Sequence, residues 1–171
     1  MDTLQLTRLL SQNRYTKKYF QGVYPSDLLP SKVRKPALII ANTDSSDKPG
    51  SHWVAFFIPK TGPAEYFDSV AHTPIDEKFI RFMMKNCHGF TFSDKRIQDL
   101  LTSTCGNYCS VFLYFKSRGI SYANIMKKFN SNLPKNEEKL VHLFNKIFLK
   151  NQCGGSNKVF VLVNQSCKPC N

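Results

Sequence analysis

Residues Thr102–Phe115 read TSTCGNYCSVFLYF. A small polar run ends at Cys105-Gly106, and a continuous apolar segment from Val111 to Phe115 follows it. Ser103 or Thr104 carries the hydroxyl oxygen that suits a helix N-cap. The apolar segment is too densely filled for a surface helix, so the pattern predicts a buried one, ending near Gly119. Cys105 then stands at the positive end of a helix dipole, where a thiolate is stabilised and the thiol pKa falls. A cysteine so placed is a nucleophile or an accident, and residues elsewhere must decide. Cys109, one turn further on, reads as a small core hydrophobe.

Upstream of this segment the pattern is mostly strands. Pro36–Thr43 holds the branched run ALIIAN of a buried strand, and Thr43–Gly50 is a polar, turn-rich loop. Ser51–Ile58 (SHWVAFFI) is a second strand, and the turn at residues 59–63 returns the chain along Ala64–Ser69 as an antiparallel hairpin. Ile75–Cys87 has helical apolar spacing with acids in its first turn, and Phe90–Ile97 reads as a further strand. Before all of these, residues 3–13 form a short amphipathic helix capped by Asp2 or Thr3. Tyr15–Pro36, broken by Gly22 and three prolines, reads as an ordered connection.

Downstream, residues 121–130 form a short basic helix. Asn136–Lys150 forms a longer one with Leu140, Leu143, Phe144, Ile147 and Phe148 on one face. Gly154-Gly155 stops it, and Val159–Val163 is a final strand. This order implies one α+β domain over residues 1–171, its sheet mostly antiparallel and flanked by helices.

The composition, with 42% hydrophobic residues and fourteen Phe, supports a packed globule over a disordered chain. The formal charge of +12 is high for 171 residues. It is also uneven, for residues 101–171 hold ten Lys/Arg against Glu137 and Glu138. A field of that sign favours an anionic partner such as nucleic acid, an acidic peptide or a membrane surface. No stretch approaches the ~20 apolar residues of a membrane span, and the N-terminus lacks the pattern of a secretory signal. The six cysteines therefore read as free thiols in a reducing compartment. Cys167-x-x-Cys170, with Cys153 as a third thiol, lacks the remaining ligand of a zinc site, and no metal is assigned.

A cysteine nucleophile needs a base within reach, a group to orient that base, and donors for an oxyanion. His52 opens the aromatic strand directly after a loop, and Asp68 closes the returning strand. In a hairpin turning at residues 60–63 these two stand roughly opposite one another. A slip of one register would pair Ser69 or Phe67 instead. Alone, His52 also reads as a surface histidine and Asp68-Ser69 as a turn signal. Gln98, seven residues before Cys105, is an oxyanion donor or a surface glutamine.

Together, GSHWVAFFI (Gly50–Ile58), EYFDS (Glu65–Ser69) and IQDLLTSTCGNYC (Ile97–Cys109) resemble the adenain group of cysteine proteases. These are adenovirus maturation proteases with relatives in Polinton/Maverick elements, adintoviruses and virophages, distantly similar to SUMO proteases. YFQGVYPSDLLP (Tyr19–Pro30) and the ALIIAN strand with its loop extend the resemblance, which covers residues 15–115. The C-terminal third matches only in being helical and basic.

The resemblance implies a protease fold with Cys105 as nucleophile, His52 as general base and Asp68 as its orienting acid, where adenoviral members often have Glu. It implies Gln98 and the Cys105 backbone N–H as oxyanion donors. Trp53 would limit water beside the base, and Gly106 would let the backbone pass closely under a substrate carbonyl. It further implies cleavage after glycine in viral capsid and core precursors during virion maturation, by a monomer in the virion and the host nucleus or cytoplasm. No cofactor is required for the chemistry. Activation by DNA and by a disulfide-bound peptide is implied for some members, with Cys87 the position for that disulfide and a free buried cysteine the other reading of it. Two alternatives stand beside this: a deconjugating protease for ubiquitin-like modifiers, and a basic DNA-binding virion protein with a vestigial protease fold.

Overall fold

The apolar run Ala37–Asn42 is buried at every position and forms the second strand of a five-stranded sheet. A computed structural model describes residues 1–149. The strands are β1 (Phe20–Tyr24), β2 (Ala37–Asn42), β3 (Trp53–Ile58), β4 (Ala64–Phe67) and β5 (Phe90–Thr91), and they lie side by side in chain order. β2, β3 and β4 pair antiparallel, whereas β1 on β2 and β5 on β4 are parallel. The middle of the sheet is thus the expected antiparallel meander, and both outer pairings turn it into a mixed sheet within an α+β fold.

The helices are α1 (Thr3–Gln12), α2 (Glu77–Asn86), α3 (Cys105–Ser117), α4 (Tyr122–Met126) and α5 (Leu133–Phe144), the last continuing as one π turn through Leu149. Period-two alternation along β2 and β3 divides the core between two faces. Leu38, Ile40, Ala55 and Phe67 meet α1, α3, α4 and α5, with Phe67 stacked on Phe112 of α3 at 4.4 Å. Ala37, Ile39, Ala41, Val54, Phe56 and Ile58 meet Phe79, Phe82, Met83 and Cys87 of the α2 segment. Across β4 and α3, Lys116 pairs with Glu65 at 2.8 Å and lies over the Phe57 ring.

The local signals act largely as expected. Asp2 and Gln5 make a capping box at α1, and the Asp76 carboxylate accepts from the Lys78 N–H at α2. Gly119, at φ +75°, ends α3 with two bonds, from its own N–H to the Lys116 carbonyl and from Ile120 to Phe115.

Four elements differ from expectation, one being the basic helix expected over residues 121–130, which spans only Tyr122–Met126. The Tyr15–Pro36 connection contains β1, whose register shifts at Gly22, where φ is +138°; the glycine that breaks the sequence pattern accommodates a bulge. The strand expected over Phe90–Ile97 shrinks to two residues, with Phe92 exposed, and the rest is irregular chain. α5 starts three residues early, with Pro134 in its first turn and the Asn132 side chain as cap. The Gly154-Gly155 stop, the Val159–Val163 strand, Cys153 and the Cys167–Cys170 pair lie outside the described residues.

Candidate active site

Cys105 is the first residue of α3, and its backbone N–H has no acceptor within the helix. Thr104 occupies the N-cap position but its side chain makes no capping bond. The hydroxyl donates instead to Glu137 of α5, at 2.8 Å. The expected cap is therefore absent, and a contact distant in sequence takes its place.

The loop before β3 is pinned at both ends by Asn42, whose Oδ1 accepts from the Asp44 and Ser51 N–H groups. The His52 carbonyl accepts from Thr43 N–H, fixing His52 at the mouth of the sheet. Its Nε2 lies 2.8 Å from Asp68 Oδ1, and the Cys105 thiol is near enough to the ring for each group to shift the other's titration. Since Asp68 occupies Nε2, Nδ1 is the nitrogen left for sulfur.

The β3–β4 register pairs Ala55 with Phe67, so strict continuation would set His52 opposite Val70. Asp68 reaches the imidazole diagonally, a correction to the near-opposite placement that spacing suggests. It is held there by its own turn, since Oδ1 also accepts from Val70 N–H at 2.8 Å. Asp68 is 3% exposed, and its Oδ2 is buried without a hydrogen bond, 3.7 Å from His72 Nδ1. Ala71, at φ +65°, turns the chain so that His72 comes back over Asp68. A cleft of about 620 Å³ opens on that side, lined in part by Thr43, Asp68, His72, Ile75 and Phe79.

The electrostatics follow from these contacts. Burial opposes charge on His52, but the hydrogen bonds to Asp68 and Cys105 and the charges of both outweigh it, raising the imidazole to about 9. Burial likewise pushes the Cys105 thiol up, and the His52 bond and charge, with backbone N–H groups of Trp53 and Gly106, bring it below its ordinary value. Cys105 is 8% exposed. A thiolate and an imidazolium side by side can attack a carbonyl carbon and then protonate a leaving amine.

Gln98 lies in the same region, buried at 2% exposure. Its Oε1 accepts from Ser69 Oγ at 2.5 Å, and its Nε2 donates to the Thr102 carbonyl at 2.9 Å, with Thr102 Oγ1 at 3.3 Å. The amide is thus held by the loop leading into α3, and an oxyanion could take at most its second proton. Ser69, adjacent to Asp68, also accepts the Ile97 and Gln98 N–H groups at its carbonyl. This serine binds the acid's turn to the glutamine's loop, a role that spacing gave no sign of. Glu137, Asn136 and Tyr108 were likewise invisible, because they meet the loop only through the fold.

Two expected roles change. A Cβ on Gly106 would lie 3.4 Å from Met1, Leu6 and Trp53 atoms, so that face of the glycine packs against α1 and Trp53 and not toward a substrate. Trp53 does lie beside the dyad, but its indole N–H donates to the Met1 carbonyl at 2.9 Å, tying the start of the chain to the site. Cys87 is 6% exposed in the α2-side core, and burial raises its thiol. Within the described residues no cluster of three or more His, Cys, Asp or Glu has the arrangement of a metal site, and no helix is long and apolar enough to cross a membrane.

No protein-family model matches the chain, and no curated protein does. Among solved structures it is similar to the selenomethionine crystal structure of the pS273R protease of ASFV, at 21% identity and a TM-score of 0.49. The match covers 86% of this chain and 53% of that one, so the chain spans about half that protease's length.

Proposed function

We propose that this chain is a cysteine endopeptidase with Cys105 as nucleophile, His52 as acid and base, and Asp68 as the orienting carboxylate. The observation that carries the reading is the placement of His52 between the buried Asp68, at 2.8 Å, and the Cys105 thiol at a helix N-terminus. In the reaction, the thiolate adds to the scissile carbonyl carbon and the carbonyl electron pair moves onto oxygen. The Cys105 N–H and the second amide proton of Gln98 meet that charge. The tetrahedral species expels the amine, which takes its proton from the His52 imidazolium and leaves a thioester. Water, deprotonated by His52, then attacks the thioester, and the thiolate departs with the acid product.

The resemblance of the His52, Asp68, Gln98 and Cys105 segments to adenain-type enzymes extends the proposal to the substrate. The enzyme would cut after glycine in capsid or core precursors of a virus or virus-like element, in the virion and the host nucleus or cytoplasm, as a monomer. Duplex DNA is the proposed second ligand, because the +12 charge favours counterion release from phosphates. An activating peptide disulfide at Cys87 is not part of the proposal, since that residue is 6% exposed within the α2-side core.

Purified protein should cleave a Gly-Gly-containing precursor peptide and leave a SUMO or ubiquitin fusion intact. Preference for the fusion would move the assignment to deconjugation. Cleavage of neither by a folded protein would defeat both protease readings and leave DNA binding as the activity to pursue.

A further inference from the structure

Residues 101–171 contain two acids, Glu137 and Glu138, in a strongly basic stretch. Glu137 lies on α5, yet its carboxylate is directed at the entry to α3. Its Oε2 accepts from Thr104 Oγ1 at 2.8 Å, and its Oε1 lies 3.2 Å from both Thr102 Oγ1 and the Tyr108 hydroxyl. Thr104 immediately precedes Cys105, Tyr108 is in the first turn of α3, and Thr102 is the residue that holds the Gln98 amide.

The preceding residue of α5 completes the arrangement. Asn136, 1% exposed, donates from Nδ2 to the Ile97 carbonyl at 3.0 Å. It also bonds Asn130 through both its oxygen and its nitrogen, so its polar atoms are all engaged. Two consecutive α5 residues thus fasten both ends of the Ile97–Thr104 loop, which carries Gln98 at one end and delivers the Cys105 N–H at the other.

We infer that Glu137 is a positioning residue for the peptidase reaction proposed above, setting the oxyanion-binding loop through Thr104. The inference rests on that proposed reaction. The hydrogen bond to Thr104 makes Glu137 more than a packing residue. The Thr104 hydroxyl gives its proton to this carboxylate and has no local capping bond to hold it otherwise, whereas the Thr102 and Tyr108 hydroxyls have nearer acceptors in the Asp99 and Ile97 carbonyls, at 2.8 and 3.0 Å. Catalytic groups lose efficiency when displaced by fractions of an ångström. Loosening this loop should therefore affect the step in which the oxyanion forms more than it affects thiolate formation, whose main support is His52, just before β3, with Trp53 at its start.

The test compares wild type, Glu137→Ala, Glu137→Gln and Thr104→Val by peptide hydrolysis and by iodoacetamide labelling of Cys105, followed by mass spectrometry. Alkylation at sulfur forms no oxyanion, so it reports the thiolate alone. Glu137→Ala should lower kcat about tenfold, with KM within about twofold and labelling unchanged. Glu137→Gln should recover most of kcat, because its carbonyl still accepts. If Glu137→Ala does not fold, Thr104→Val decides the matter, with kcat lowered about threefold and labelling unchanged. Unchanged kcat in a folded variant, or hydrolysis and labelling falling in parallel, would overturn the inference. A folded wild type that labels but does not hydrolyse would instead remove the protease reading, and this one with it.

Discussion

Cys105 and Cys109 stand one helical turn apart on α3, and both are nearly closed to solvent. Burial alone pushes each thiol up. For Cys109 little opposes it, and the thiol is held well above its ordinary range while Sγ donates to the Trp53 carbonyl at 3.3 Å. For Cys105 the His52 imidazole and the backbone N–H groups of Trp53 and Gly106 reverse the sign. One residue of β3 therefore serves both sulfurs, offering a carbonyl to the thiol and an N–H to the thiolate. The helix N-terminus contributes to the difference, but the strand beside it supplies the partners.

The contrast can be broken most completely at Cys105. Replacing it with alanine should lower peptide hydrolysis about ten-thousandfold or more while the protein still folds, as read by kcat/KM and by thermal melting. Asp68→Asn acts one contact away. It should cost about a hundredfold or more in kcat and bring the His52 pKa down from about 9. The pH at which activity falls on the alkaline side should move down with it.

The sign of that dependence is fixed. His52 is raised above its unfolded value, so its contribution to stability is complete below about 6.5 and is lost as pH rises through about 9. Cys109→Ala tests the other half of the comparison. It removes a buried sulfur and no charge, so stability should fall by about 1–2 kcal/mol, with kcat within about twofold. His72→Ala, at an exposed side chain 3.7 Å from Asp68, should have the smallest effect of all, with kcat within about twofold and stability lowered by less than ~1 kcal/mol.

How far the sequence revealed this arrangement depended on the kind of signal. The run at Ala37–Asn42, the hairpin of β3 and β4 and the α3 segment carry periodicity that one stretch of chain displays by itself, and their boundaries agree with the structure within about two residues. β1 escaped notice because its glycine bulge and half-buried residues show no alternation, and its parallel partner lies beyond a connection rich in prolines.

At the site, ordered spacing brought His52, Asp68, Gln98 and Cys105 into view, and the fold places them in one region. What local spacing could not carry was their bonding. Asp68 reaches His52 diagonally, Gln98 is held by Ser69 and Thr102, and Glu137 reaches Thr104 from 33 residues away. Gly106 shows the same limit, since its packing against Met1 and Leu6 requires α1 to fold back over α3.

The central claim is that Cys105 rests as a thiolate beside a protonated His52. Its most direct test is the rate of Cys105 alkylation by iodoacetamide as a function of pH, in wild type and in His52→Ala. The account predicts rapid labelling of the wild type at pH 6, and a shift in the variant toward the titration of a free thiol near ~8.5. Wild-type labelling that follows the free-thiol curve and is indifferent to His52 would contradict it.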